Sequence, residues 1–427
     1  MKRIPSKFFF IMSVVLAVSL ILIQPAMARM WGAQQHWVNT WVSMPQLTEP
    51  HNMPPEPFTQ TDLVFADSTL RQTIHTSIGG DLMRLRFSNA FGGTALTITS
   101  VHVALPEGGE GGGSAIQPET DQAVTFNKRS SVVIPVGAQV VSDPLEFELA
   151  PESNLTVTIY LAEGQASNNI TSHPGSRTTS YMVAGDYVSD TDLDGATSAD
   201  HWYFLSGVEV WTEQANRALV VLGDSLTDGR GSTTNMNNRW PDQLLARLQG
   251  NEATAGIAVL NQAAGGNRVL NDGLGPNALA RFDRDVLAQS GVKWLIVFEG
   301  VNDIGTAEAT EEAQEQVADD LIGAFNQMIF RAHAKDILVY GATITAFGGS
   351  FYDEGTGYRE AARQKVNDWI RTSGRFDGVI DFDKVTRDPE NPAQLMEGIH
   401  DGDYLHLNPE GYKILADAVP KRLFNNY

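Results

Sequence analysis

The sequence predicts an α/β protein with an all-β preface. A region of sandwich or jelly-roll type occupies residues 29–210, and a three-layer unit, a parallel sheet covered by helices on both faces, occupies 211–427. A change of pattern near residue 210 predicts this. Before it, apolar residues recur in short segments of period two separated by turn residues, as in half-buried strands. After Arg217, continuous apolar runs alternate with helical periods, which implies parallel strands joined by crossover helices. A chain of 427 residues with 42% hydrophobic content can bury a core in each region.

In the first region, residues 83–87 read Met-Arg-Leu-Arg-Phe, apolar and charged in alternation. Residues 96–103, 131–134, 145–149 and 155–161 are further expected strands. Gly79-Gly80, Gly92-Gly93, Pro135, Gly137 and Pro144 punctuate them. Repeated short strands of this kind suggest a sandwich or jelly roll. The stretch 106–114 contains Glu-Gly-Gly-Glu-Gly-Gly-Gly and is expected to form an exposed, flexible loop that cannot pack. Residues 189–200, polar and acidic, are expected to form a second loop near the domain boundary.

In the second region, Ala-Leu-Val-Val-Leu at 218–222 suits a strand buried on both faces. Strands are also expected at 258–260, 292–298, 337–344 and 379–382. Helices are expected at 240–248, 308–334, 358–372 and 409–423. The second of these carries acidic residues in its early turns, where the helix dipole favours them. Active sites in such folds collect beyond the carboxyl ends of the strands.

The first 28 residues differ from the rest. Lys2, Arg3 and Lys7 precede an apolar run from Phe8 to Ile23, and Ala26-Met27-Ala28 follows as a small-x-small cleavage signal. This is expected to be a secretory signal peptide, cleaved after Ala28, which would place the protein outside the cell or in the periplasm. The alternative is an uncleaved anchor, since the run approaches membrane-spanning length. The chain has no cysteine, so disulfides, thiolate chemistry and cysteine-based metal sites are excluded. Its formal net charge is -21, and removal of residues 1–28, with three basic and no acidic residues, makes it -24. A surface this acidic repels phosphate backbones and anionic membranes, so neither nucleic acid nor stable membrane association is expected of the mature chain.

Four short motifs in the second region carry chemistry. They are Gly-Asp-Ser-Leu at 223–226, Gly-Gly-Asn at 265–267, Gly-Val-Asn-Asp at 300–303 and Asp-Tyr-Leu-His at 403–406. Together they supply a serine nucleophile, donors for an oxyanion, a histidine base and a carboxylate to orient it, which is what acyl transfer requires. Ser225 follows a buried strand and a glycine, although Gly-Asp-Ser alone also reads as a turn with a helix cap. Thr227 stands two residues after it, so this is not the Gly-x-Ser-x-Gly elbow. Asp224 is expected to bond nearby backbone, outside the triad, and Asp303 is placed with it as a supporting residue. Asp403 lies three residues before His406, and in a turn that spacing lets the carboxylate reach one imidazole nitrogen and leaves the other free. His400, beside Asp401, is a rival base, and His333 on the long helix is expected to be solvated.

In this order, each at the end of a strand-like run, these motifs resemble the GDSL or SGNH hydrolase family over the last ~210 residues. The resemblance extends to Thr-Leu-Arg-Gln at 69–72, Arg-Phe-Ser-Asn-Ala-Phe-Gly at 86–92, Arg-Trp-Pro at 239–241, Asn-Arg-Val-Leu at 267–270, Arg-Phe-Asp-Arg-Asp at 281–285 and Ala-Phe-Gly-Gly at 346–349. It implies a flavodoxin-like sheet and a secreted acylhydrolase or arylesterase with a β-rich N-terminal region. It implies the triad Ser225, His406 and Asp403, since only His406 has the Asp-x-x-His spacing. It also implies an oxyanion hole made of the backbone N–H groups of Ser225 and Gly266 and the side-chain amide of Asn302. No metal or organic cofactor is implied.

Short acyl esters of a carbohydrate or another polar alcohol are the expected substrates, because no extended apolar lid segment is visible. Broader lipid or aryl acylhydrolysis is the alternative. A third reading, from a different class, makes the β region a carbohydrate-binding or adhesion module in which Trp37, Trp41, Trp202 and Tyr203 could stack on sugars, although aromatics in β-domains are more often core.

Overall fold

The computed structural model describes residues 35–213 and 215–424, so the expected signal peptide lies outside the described residues. The N-terminal region is built on two large antiparallel sheets. One orders strands Gln35–Val42, Leu205–Glu213, Gly80–Ser88 and Gln139–Val141, with Leu145–Leu149 also on Gly80–Ser88. The other orders Thr197–Ala199, Ser180–Ala184, Ser68–His75, Asn154–Leu161, Ser100–Ala104 and Gln122–Val124. The alternation at 83–87 is kept, with Met83, Leu85 and Phe87 buried and Arg84 and Arg86 partly exposed.

One expectation for this region fails and another holds only in part. The run 96–103 is not one strand, because the chain turns at Thr99 and its halves join different sheets. Leu96–Ile98 pairs with Val132–Ile134, and Ser100–Ala104 with Asn154–Leu161. Thr99 holds the corner, its N–H donating to Tyr160 O at 2.9 Å and its hydroxyl accepting from Ala162 N at 3.0 Å. The glycine-rich stretch 106–114 is exposed at residues 107–110, as expected, but is anchored to the body of the region, with Pro106 and Gly112 buried. Tyr181 donates to Gly112 O at 2.9 Å, Asn154 to Gly109 O at 2.9 Å, and the buried Arg71 to Ser114 O at 2.5 Å. Gly109 and Gly112, both at positive φ, present their carbonyls to donors that an apolar-pattern reading does not see.

The second region contains five parallel strands, β1 (Arg217–Gly223), β2 (Ile257–Ala263), β3 (Val292–Phe298), β4 (Leu338–Ala342) and β5 (Gly378–Ile380). Their order is β2-β1-β3-β4-β5, the flavodoxin-like arrangement. Ala218 to Leu222 are fully buried, as the continuous apolar run demands. The helices are α1 (Ser225–Asp228), α2 (Trp240–Gln249), α3 (Ala278–Phe282), α4 (Val301–Thr306), α5 (Glu311–His333), α6 (Tyr358–Thr372), α7 (Phe382–Thr386) and α8 (Pro409–Ala418). The closing helix is shorter than its periodicity suggests, because Pro420 cannot continue it. β5 stops at Ile380 because Asp381 caps α7, accepting from Lys384 N at 3.2 Å. Among the described residues no helix is long and apolar enough to cross a membrane.

The β region covers the β2 edge of the parallel sheet. Strand Gln35–Val42 lies against β2, and the Ser77 hydroxyl donates to Val259 O and accepts from Val259 N, at 3.0 and 3.1 Å. An edge strand is thereby capped by a side chain rather than left open to another chain. A continuous hydrophobic core runs through both regions. This seam matters for function because it carries part of the β region to the carboxyl ends of β1 to β3.

Candidate active site

Ser225 opens α1 directly after β1. Asp224 caps that helix by accepting from Leu226 N at 2.9 Å, and the imidazole Nδ1 is held by Asp403 instead. Gly229 ends the single turn at φ 94°, where a Cβ would lie 2.2 Å from Arg239 Cγ. The Ser225 hydroxyl lies 2.9 Å from His406 Nε2. His406 Nδ1 lies 2.6 Å from Asp403 Oδ2, while Asp403 Oδ1 accepts from His406 N at 2.8 Å and Leu405 N at 3.0 Å. These backbone bonds make the Asp403–His406 turn a rigid clip, so ring and carboxylate are held in register by the same four residues.

Electrostatics favour a neutral ring at rest. Burial pulls His406 below the ordinary imidazole value, Asp403 opposes this, and Arg230 and Arg177 add to the lowering. Burial raises Asp403, but the bonds from His406 and Leu405 outweigh it and hold the carboxyl below its usual range.

Gly266, at φ 69°, lies in the loop after β2 with its Cα against Leu274, where a Cβ would lie 2.6 Å from Leu274 Cδ1. Among the described residues, the N–H groups of Ser225 and Gly266 have no acceptor. Asn302 starts α4 after β3, and its Nδ2 donates to Asn267 O at 2.8 Å, leaving one amide hydrogen free. Tyr352 donates to Asn302 Oδ1 at 2.9 Å. The Asn267 carbonyl can only accept, so the nitrogen of the Asn302 amide is the atom that faces it. Tyr352 has no motif around it in the sequence, and its only signal is the Ala-Phe-Gly-Gly run at 346–349 just before it.

Buried charges brace this loop. Asp303 accepts from Val269 N and Leu270 N, both at 2.9 Å. Asp228 accepts from Gly265 N at 3.1 Å and bonds His173 Nε2, from the β region, at 2.9 Å. Arg281 is fully enclosed and donates to Asn267 Oδ1 at 2.8 Å, Gln262 O at 2.6 Å and Gly223 O at 3.3 Å. Burial, with the neighbouring Asp303 and Asp228 charges, pushes Asp224 up to about 7. Burial likewise pushes Asp303 up to about 6, and raises Glu299 well above the carboxylate range despite Arg281.

These groups meet at a cleft of about 400 Å³. The β region supplies a wall of it, including Gln46, Glu49, Arg177 and His201. His400 is not at the serine, and its ring stacks on Tyr404 with centroids 4.3 Å apart. His333, 42% exposed, bonds Asp377 at 2.8 Å. The sugar-stacking reading fails for Trp41, Trp202 and Tyr203, which are core residues at 5%, 2% and 0% exposure. Trp37 is half-buried against Trp211 and beneath Arg84. Among the described residues no three His, Asp or Glu side chains are grouped to hold a metal ion.

Residues 221–414 match the model of the GDSL-like lipase/acylhydrolase family. No curated protein matches the chain. Among solved structures, the chain is similar to a G-D-S-L family lipolytic protein from Desulfitobacterium hafniense, at 22% identity over 48% of this chain and 97% of that one, TM-score 0.35. It is also similar to an acetylxylan esterase from Geobacillus stearothermophilus, at 19% identity over 50% of this chain and 97% of that one, TM-score 0.37. A GDSL-like lipase from Bacteroides thetaiotaomicron gives 16% identity over 49% and 87%, TM-score 0.34.

Proposed function

We propose that this esterase, whose residues 221–414 belong to the GDSL-like lipase/acylhydrolase family, cleaves short-chain carboxylic esters through a covalent acyl-enzyme on Ser225. The observation that carries the proposal is the unbroken relay Ser225 Oγ, His406 Nε2, His406 Nδ1, Asp403 Oδ2, with links of 2.9 and 2.6 Å across the ring.

In the first half-reaction the Ser225 oxygen forms a bond to the ester carbonyl carbon and passes its proton to His406 Nε2. The carbonyl electron pair moves onto oxygen, where the N–H groups of Ser225 and Gly266 and the free Asn302 hydrogen receive it. Each such donor contributes roughly 3–4 kcal/mol to the transition state. Collapse breaks the bond to the alcohol, which leaves with the proton from His406. Water then gives a proton to His406 and adds to the acyl carbon. The acid departs as Ser225 recovers its proton.

Polar lining supports a small acyl group on a polar alcohol. Gln46, Glu49, Asn52, Arg177 and His201 face the cleft, with Leu274, Phe351 and Leu405 as its apolar patches. Acetyl or a similar group on a carbohydrate is the preferred substrate, in keeping with the secretion expected from the leader-like residues 1–28. A series of p-nitrophenyl acetate, butyrate and octanoate, run beside acetate release from acetylated polysaccharides, tests this. Falling kcat/KM with chain length is expected, and a maximum at octanoate would overturn the short-chain assignment.

A further inference from the structure

We propose that the cleft binds a carboxylate on the alcohol side of the scissile ester, between Arg177 of the β region and Arg230 of the loop after α1. The favoured substrates are then short-acyl esters of acidic sugars, a refinement that rests on ester hydrolysis at Ser225. The starting observation is that the cleft departs from the acidic character of the chain, its lining setting Arg177 and Arg230 against two carboxylates, Glu49 and Asp228. The chain carries 51 acidic against 30 basic residues, yet the carboxylates lining the cleft are already engaged. Glu49 accepts from Gln46 at 2.5 Å and Asn52 at 3.0 Å, and Asp228 holds His173 and Gly265 N.

The two guanidinium groups on the same walls are not engaged. Among the described residues, neither Arg177 nor Arg230 has an ion pair or a side-chain hydrogen bond, and Arg177 Nε is buried without a partner. Other enclosed arginines are fully engaged, Arg239, Arg281 and Arg363 by carboxylates and Arg71 by backbone carbonyls and the Thr158 hydroxyl. A buried guanidinium N–H with no protein acceptor can be satisfied by a ligand oxygen. Arg177 also keeps φ at 51°, a conformation that a β-carbon disfavours, with its carbonyl fixed by Asn235 N at 2.9 Å.

The location selects the side of the ester. Gly231, next to Arg230, packs so tightly on the loop of the base that a Cβ there would lie 2.4 Å from Leu407 O. The Arg230 carbonyl accepts from Tyr412 at 2.5 Å on the same loop's helix. Both arginines are near enough to His406 to depress its basicity. His406 Nε2 is the atom that protonates the departing alcohol, so a group beside it belongs to the alcohol and not to the acyl chain. A guanidinium fork matches a carboxylate with two parallel bonds, which suits a uronic acid.

The test compares an O-acetylated oligogalacturonide with the same oligomer after methyl esterification of its carboxyls, using the full chain. The acid form is expected to have at least ~10-fold higher kcat/KM, and the ratio to fall toward one in Arg177→Gln and Arg230→Gln, mainly through KM. A ratio near one in the wild type overturns the proposal, as does a ratio unchanged in both variants. If the arginines only tune His406, the variants shift the pH profile on both substrates and leave the ratio intact, which also overturns it. A matched pair of p-nitrophenyl acetate and hemisuccinate places the anion on the acyl side, and a preference confined to that pair contradicts the assignment. Wild-type turnover of p-nitrophenyl acetate checks the esterase reading separately. Should Arg177→Gln fail to fold, the exposed Arg230→Gln and binding of unacetylated oligogalacturonide to Ser225→Ala protein give the same answer.

Discussion

Tyr352→Phe removes one atom from the structure and tests how the proposed oxyanion site is held. The Tyr352 hydroxyl donates to Asn302 Oδ1 at 2.9 Å, and the amide's other anchor is the 2.8 Å bond to Asn267 O. Burial, with the nearby Asp224 charge, raises the phenol above its ordinary value, so it remains a donor throughout the neutral range. Its loss leaves the Asn302 amide with a single anchor and an unpaired oxygen. One hydrogen bond of this kind is worth about 1 kcal/mol, so kcat on p-nitrophenyl acetate should fall roughly 5- to 10-fold. Asn302→Ala deletes the donor itself and should cost about 10²–10³ in kcat. KM should hardly move in either, because the contact is made to the transition state. The double variant is decisive. If Tyr352 acts through Asn302, adding Tyr352→Phe to Asn302→Ala costs nothing further. An equal loss in both backgrounds would refute the positioning argument.

Four further outcomes rest on the same geometry. The lowered His406 predicts that kcat/KM on a neutral ester rises with pH through an apparent value below about 6.5, and Asp403→Asn should cut kcat by up to about 10⁴-fold by removing the ring's orienting acceptor. Asp224, at about 7 in the folded chain against about 4 unfolded, binds its proton more tightly when folded, so the stability it contributes is present below pH 4 and lost as pH rises through 7. Asp224→Asn keeps the acceptor for Leu226 N without the charge, and its melting temperature should exceed the wild type's at pH 8 by an amount that shrinks by pH 5; three units set an upper bound on the order of 4 kcal/mol. Gly175→Ala would place a Cβ 1.7 Å from Asp228 Oδ2, the atom that holds Gly265 N, so both melting temperature and kcat should drop, by about 1–3 kcal/mol in stability. Unchanged values would show that the β region does not brace the oxyanion loop.

What could be read from sequence was local. The run at 218–222 announces a buried parallel strand because both of its faces are apolar, and Asp403 with His406 announces a clip because three residues in a turn bring them together. The break at Thr99 was not legible, since it depends on Tyr160 and Ala162, some 60 residues away in the chain. Tyr352 and Arg177 were missed for the same reason. Each lies in a loop without periodicity, and each reaches the cleft only because β4 and the β region are folded beside it. The sequence left the aromatic residues open between core and sugar platform, because a strand tryptophan looks alike whether it faces solvent or core. Packing between Trp41 and Trp202, with centroids 4.9 Å apart, decided the matter.

Covalent capture of the nucleophile tests the central claim most directly. A p-nitrophenyl phosphonate should release one equivalent of nitrophenol and leave its mass on the peptide containing Ser225, slowly in His406→Ala and not at all in Ser225→Ala. Stoichiometric labelling of Ser225→Ala protein, or a label on any other residue of the wild type, would contradict the account.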